Sequence, residues 1–294
     1  MSTNKAQPAL SVIIPAKNEE HGLRKILPEL RRQLPDAELI VIDDGSTDGT
    51  RSVSEELGAT VIQHPYSKGN GAAIKTGVRH ASGKTIICLD ADGQHRPDEL
   101  PDLLEHFHNH NYDMLVGSRS FGSQANVFRG LANRFYNWLA TTMVGHPVRD
   151  LTSGLRVIDA KKFRQFLYLL PNGFSYPTTI TMAFFRSGYS VGYYDFNAEQ
   201  RIGKSHINIA RDGIRFLLII FKIGTLYSPL KLFTPISALL FFTAFGYYLY
   251  TFFTFGRFTN MSAVLMTTSI LTFLMGLVSE QVTSLIYQNT SKSD

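Results

Sequence analysis

The chain has 294 residues, with 29 Lys and Arg against 24 Asp and Glu, a formal net charge of +5. That surplus suits an anionic partner such as phosphate or a lipid surface, but it is spread along the chain rather than gathered into one basic run, which speaks against nucleic acid. A single cysteine, Cys88, excludes an intramolecular disulfide and reads as a small buried residue.

The opening segment, MSTNKAQPAL, has no apolar core of signal-peptide length, so the first part of the chain is expected to stay in the cytosol. From Leu10 to about Phe196, short β-branched runs alternate with helically spaced segments. The runs are LSVIIPA, ELIVIDD, ATVIQH, KTIICLD and DMLVGSR, and helical spacing covers Glu19 to Leu34 and Thr50 to Leu57. This alternation predicts βαβ units, hence an α/β domain with a mostly parallel, doubly wound sheet. Ligands of such sheets collect beyond the carboxyl ends of the strands. Polar residues fall at those ends: Asn18-Glu19-Glu20, Asp43-Asp44, Asp90 with Asp92, and Ser118-Arg119.

In VIDDGSTDGT a strand runs into a tight turn, with Asp48 placed to cap the next helix. Turn chemistry accounts for Gly45, Ser46 and Asp48 but not for the paired Asp43 and Asp44. A carboxylate there could accept from a nucleobase N–H or from ribose hydroxyls. The stretch YSKGNGAAIKTG, residues 66 to 77, puts two glycines at a helix start, where backbone N–H groups can approach an anion. No Gly-Lys-Ser/Thr of a P-loop comes after it, and Ile74 stands where a dinucleotide fingerprint needs its third glycine. A plain glycine-rich turn is the alternative. In TIICLDADGQH, extended geometry would point Asp90, Asp92 and Gln94 the same way. Their hard oxygen donors suit Mg2+ or Mn2+ rather than zinc, and such an ion keeps positions open for substrate phosphates. The histidine-rich EHFHNHN, residues 105 to 111, reads as a solvated helix end.

Residues 208 to 231 mix apolar residues with spaced bases, the pattern of one or two amphipathic helices at a membrane surface, with an ordinary helix packed on the globular domain as the alternative for the first half. Leu232 to Gly256 and Phe258 to Ser279 contain no charged residue, and each exceeds the roughly 20 residues a helix needs to cross a bilayer. Joined at Arg257, they predict a two-helix membrane hairpin. Lys204, Arg211, Arg215, Lys222 and Lys231 precede it and Lys292 comes after it, so the positive-inside bias places both chain ends on the cytoplasmic side.

The motifs SVIIPAKNEE, VIDDGSTDGT, KGNGAAIKTG, DADGQHRPDEL, VGSR and DLTSGLRV resemble, in this order, the family-2 glycosyltransferases of GT-A fold. The likeness is strongest to the polyprenyl-phosphate branch, which includes dolichyl-phosphate mannose synthases and bacterial undecaprenyl-phosphate sugar transferases. It covers about the first two thirds of the chain, and the terminal hairpin also looks like this branch. The resemblance implies a GT-A catalytic domain over 1–205, juxtamembrane helices over 206–231, membrane helices at 232–256 and 258–282, and a cytoplasmic tail at 283–294. It implies that Pro15, Ala16, Asn18 and Glu20 line the nucleotide pocket, that Asp44 faces the base, and that Lys68 and Gly69 lie near the donor. Asp90, Asp92 and Gln94 would hold the divalent ion against the diphosphate. Arg119, Arg129 and Arg201 would gather around the acceptor phosphate, with Asn133 where some relatives have serine. GKSH departs from the Gly-x-Ser-Lys common among relatives, with His206 in place of the lysine. Two-helix relatives also raise a homotetramer as the oligomeric state.

The chemistry agrees. A monoalkyl phosphate has its second pKa near 6 and is largely ionised at neutral pH, so it can attack an anomeric carbon without a dedicated general base. The protein must instead offset repulsion between an anionic acceptor and a diphosphate donor. Direct displacement would invert the anomeric configuration. Two other readings remain. A processive polysaccharide synthase normally carries Gln-x-x-Arg-Trp, a context that the sole tryptophan, Trp138 in FYNWLA, lacks. A non-catalytic membrane scaffold could retain the same fold.

Overall fold

In the computed structural model, the described residues are 9–93, 95–119, 127–173, 176–196, 221 and 224–291. The chain divides into two units, one comprising Met1–Thr141 with His146–His206, the other Thr142–Gly145 with Ile207–Asp294.

The first unit is built on seven strands: β1 (Leu10–Ala16), β2 (Glu38–Asp43), β3 (Thr60–Gln63), β4 (Thr85–Cys88), β5 (Met114–Arg119), β6 (Arg156–Asp159) and β7 (Val191–Phe196). Their order in the sheet is β3-β2-β1-β4-β6-β5-β7. All pairings are parallel except those of β6, which runs antiparallel to both β4 and β5. The helices described in this unit are α1 (Glu20–Gln33), α2 (Thr50–Glu56), α3 (Asn70–His80), α4 (Leu100–Asn109), α5 (Val127–Val144, whose last turn from Thr142 belongs to the second unit), α6 (Ala160–Gln165) and α7 (Tyr176–Arg186). The five expected strands are present, and β6 and β7 complete the sheet.

The strands read as continuous apolar runs because both faces of the sheet are covered. In β1, Val12 and Ile14 join the core formed with Leu23, Ile26, Leu27 and Leu30, the i, i+3, i+4, i+7 stripe of α1. On the opposite face Ile13 lies under α3, where a Cβ on Gly77 would come within 2.4 Å of its Cγ2. Pro15 interrupts β1 without loss, because the register with β4 ends at Ile13 and Cys88. Cys88 is fully buried, and burial pushes its thiol up to about 12, so it stays protonated and inert.

The second unit contains α8 (Pro229–Phe255) and α9 (Asn260–Ser291). Gly256, left-handed at φ 64°, ends α8, and its N–H donates to Phe252 O. Over 27 and 26 residues the two helices are long and apolar enough to span a bilayer, and only 11 % and 17 % of their apolar windows are buried, which is unlike the core helices of a soluble domain. Buried positions recur every seven residues: Ser237, Ala244 and Thr251 on α8, Ser262, Ser269, Gly276 and Thr283 on α9. Small residues at a heptad spacing let the two backbones approach, and the Ser269 hydroxyl donates to Ser237 O at 2.9 Å. Glu280 of α9 accepts from the Leu230 N–H at the start of α8, a carboxylate at the positive end of a helix. The last carbonyls of α5, Thr142 and Met143, accept from Lys231 Nζ at 3.1 and 3.0 Å. As a helix, α8 starts at Pro229, three residues before the apolar run, and α9 continues to Ser291. Of the surface helices expected over 206–231, residues 206–220, 222 and 223 lie outside the described residues.

Candidate active site

The carboxyl edge of the sheet gathers the ends of β1, β2 and β4. Past β1, Asn18 adopts φ 57°, a left-handed conformation that asparagine tolerates better than most residues. Its Oδ1 accepts from Thr47 N at 2.8 Å, and its own N–H donates to Ser46 Oγ at 3.0 Å. Glu20 Oε2 accepts from Gly49 N at 3.2 Å. These bonds lash the β1–α1 turn to the turn after β2. The Ala16 carbonyl accepts from Asp44 N at 2.9 Å, so Pro15, Ala16, Asn18 and Glu20 sit beside the Asp43-Asp44 pair.

Asp44 is buried, and its carboxylate accepts four hydrogen bonds. Oδ1 takes His64 Nδ1 at 2.7 Å and Lys68 N at 2.8 Å; Oδ2 takes Ser67 Oγ at 2.8 Å and Gly69 N at 2.9 Å. Burial alone would raise its pKa, but the donors from His64, Lys68, Ser67 and Gly69 outweigh it and hold the group at about 2. A carboxylate offers about four lone-pair sites, all filled here, so in this conformation Asp44 has none left for a base N–H. The depressed pKa stabilises the fold by roughly 2 kcal/mol at neutral pH. The sign is that of a lowered acid: the contribution is complete above about pH 4 and drains away as pH falls towards 2. Thermal melts of the full chain from pH 5 to pH 2 are expected to show Asp44→Asn losing less stability over that range than the parent.

The anion cradle read from the two glycines takes a different form. At the start of α3 the Gly71 and Ala72 N–H groups donate to Gly173 O at 3.3 Å and Asn172 O at 2.9 Å. These two donors of the helix start are therefore satisfied by a distant loop rather than left for an anion. Gly71 is required there for space, since a Cβ would lie 2.0 Å from the Pro171 carbonyl oxygen. Gly69, at φ 100°, makes the turn that aims the Lys68 and Gly69 amides at Asp44. The cationic side chain of Lys68 stays on this turn, 5.8 Å over the Tyr66 ring.

The acidic motif is a turn, not an extended strand end. β4 stops at Cys88, and residues 91–93 bend through Gly93 at φ 71°. Asp90 and Asp92 are both partly exposed. A Cβ on Gly22 would lie 2.0 Å from Ala91 O, which places the first turn of α1 directly against this acidic turn.

Because β6 runs antiparallel, its start rather than its end reaches the same edge, with Arg156 opposite Cys88. The loop before it forms a wall: a Cβ on Gly154 would meet Asp90 Oδ2 at 2.0 Å, so the bare glycine is a cradle for that carboxylate. The fully buried Arg156 guanidinium fastens the loop from below, donating to Ser153 O at 3.1 Å, Leu151 O at 3.4 Å and Thr181 Oγ1 at 2.5 Å. His95, buried against Phe196, brings Nε2 to 3.8 Å from Asp90 Oδ2, and its Nδ1 has no hydrogen-bond partner among the described residues. Neither His95 nor Gly154 directly succeeds an apolar strand run in the sequence, which is why reading strand ends missed them.

Among the described residues no three His, Cys, Asp or Glu side chains cluster as a closed metal cage. Two carboxylates at a sheet edge, one of them cradled, instead fit a hard cation that takes its remaining oxygens from substrate and water, the habit of Mg2+ and Mn2+. Gln94 and Arg201 lie outside the described residues. Arg119 closes β5, and Arg129 and Asn133 belong to α5, but their side chains also lie outside.

Residues 11–171 match the family model for Glycosyl transferase family 2, and residues 228–285 match that for the GtrB C-terminal hairpin. Protein RfbJ of Shigella flexneri is 30% identical over 120 residues, 41% of this chain and 92% of RfbJ. The uncharacterized protein MJ0544 of Methanocaldococcus jannaschii is 28% identical over 230 residues, 70% of this chain and 98% of that protein. Among solved structures, glucosyl-3-phosphoglycerate synthase from Mycobacterium tuberculosis, in complex with Mn2+ and UDP-glucose, superposes with a TM-score of 0.59 at 20% identity, covering 74% of this chain and 80% of the other.

Proposed function

Because the chain belongs to Glycosyl transferase family 2, we propose that it transfers one sugar from a UDP- or GDP-linked donor to a membrane polyprenyl phosphate, inverting the anomeric carbon. The observation that carries this reading is the union, in one chain, of the acidic turn at the sheet edge with a hairpin of membrane length. A long isoprenoid does not leave a bilayer cheaply, at about 0.8 kcal/mol for each buried methylene, so the enzyme must be held at the lipid. The hairpin supplies that anchor, with the first unit and both chain ends on the cytoplasmic side by the positive-inside bias.

Asp90 and Asp92, with Gln94, are the residues that would hold Mg2+ or Mn2+. When bound, the ion neutralises charge on the departing diphosphate. The β1–α1 turn, with Pro15, Ala16, Asn18 and Glu20, forms the donor wall beside the Asp44-bound turn that presents Lys68. Arg119, Arg129 and Arg201, with Asn133, serve the acceptor phosphate, whose oxygen is already anionic and needs positioning more than deprotonation.

The test is a panel of radiolabelled UDP- and GDP-sugars incubated with the full chain in membranes and polyprenyl phosphate, with and without Mn2+. A lipid product carrying a single sugar is expected, formed only with the cation. A polymer would indicate a processive synthase instead, and no turnover with any donor would indicate a scaffold.

A further inference from the structure

The buried ring of His64 lies outside the acidic turn and takes no part in holding the cation, yet both of its nitrogens are engaged. Nδ1 lies 2.7 Å from Asp44 Oδ1 and Nε2 lies 3.0 Å from Thr76 Oγ1, with the ring only 4 % exposed. An ionised carboxylate can only accept, so Nδ1 carries the proton; in the neutral ring Nε2 then accepts from the Thr76 hydroxyl. The backbone of His64 is fixed as well, its N–H donating to Asp43 O at 2.8 Å. The ring thus joins three elements: the end of β3 in sequence, the carboxylate beyond β2, and the second turn of α3.

The effect of this orientation on Asp44 is visible in its other bonds. Its two oxygens take the consecutive amides of Lys68 and Gly69, and the next amides but one, Gly71 and Ala72, are taken by the 172–173 carbonyls. The turn is pinned on both sides, and Gly69 at φ 100° would relax from that shape if one side let go. A leucine could fill the same volume as the imidazole without aligning a carboxylate, and burying a two-ended polar ring is costly unless both ends are bonded.

We propose that His64 is a positioning residue for donor binding: through Asp44 it fixes the Lys68–Gly69 turn, and so sets where the Lys68 ammonium meets the diphosphate of the nucleotide sugar. This rests on the transferase reading, and it makes His64 act through the turn rather than on the substrate.

The test uses the full chain in lipid nanodiscs, with initial-rate KM values for nucleotide sugar and for polyprenyl phosphate, and hydrogen exchange over residues 66–70. Hydrogen bonds to a charged group are worth enough to make His64→Ala raise the donor KM about 10- to 100-fold. The acceptor KM should hold, and amide exchange at 66–70 should accelerate. His64→Asn, whose side-chain amide can donate to Asp44 from nearly the place of Nδ1, should restore both. An unchanged donor KM and unchanged exchange in His64→Ala would overturn the proposal, as would His64→Asn behaving like His64→Ala. Should His64→Ala not fold, Thr76→Val decides: a donor KM raised about threefold supports the chain of bonds, and a wild-type value refutes it. If the parent protein transfers no sugar at all, the transferase reading fails, while hydrogen exchange still reports on the clamp by itself.

Discussion

Replacing Asp92 with alanine is expected to lower sugar transfer by at least about a thousandfold, because a cation clamp contributes several kcal/mol to the transition state. The thermal midpoint should stay close to that of the parent. Asp92 sits partly exposed in the turn after β4 rather than in the core, and substitutions at such places usually change stability by less than about 0.5 kcal/mol. In the proposed site, removing one of two carboxylates leaves a hard cation a single charged protein ligand, which weakens its binding and lets it drift from the place where it would offset the charge of the departing diphosphate. Transfer rates across a Mn2+ titration, with Mn2+ binding monitored separately by electron paramagnetic resonance, check this. Parental transfer in Asp92→Ala would remove the acidic turn from the mechanism.

Gly154→Ala should be the second most damaging change, although residue 154 would touch no substrate. The added Cβ would fall 2.0 Å from Asp90 Oδ2 and 2.5 Å from its Cγ. The atoms in the way belong to a side chain rather than to backbone, so the carboxylate can swing aside and the fold survive. Overpacking of this kind costs about 1–3 kcal/mol, which a domain of this size can absorb. With Asp90 as the proposed cation ligand, the displaced carboxylate would no longer meet the ion in its proper place, and a misplacement of about 1 Å can cost a hundredfold in rate. The expected signature is a transfer rate down about 100-fold, a higher Mn2+ concentration for half-maximal activity, and a folded protein by circular dichroism. Full activity in this variant would mean that the cradle around Asp90 does not govern the reaction.

Much of this site was legible in the chain. Asp43, Asp44 and Asp90 stand at the ends of recognisable apolar runs, and the sheet rule places such residues at the ligand edge. Less legible was what each would be bound to. Asp44 looked available for a base, yet His64, Ser67, Lys68 and Gly69 occupy it. The glycines before α3 looked like an anion cradle, yet carbonyls of Asn172 and Gly173 receive their amides. The Asp90 turn was expected to be extended, but the strand stops at Cys88 and a left-handed Gly93 redirects the backbone.

Periodicity and composition alone determined the layered α/β order, the acidic residues at the sheet edge and the paired apolar helices, since each is a pattern among near neighbours in the chain. Tertiary structure decided which partner fills each donor and acceptor. A reversed β6 brings Gly154 against Asp90, and the 171–173 loop crosses about a hundred residues of sequence to cap α3. An orphan N–H or a carboxylate bonds to whatever the packed core brings within about 3 Å, and no local pattern records that neighbour.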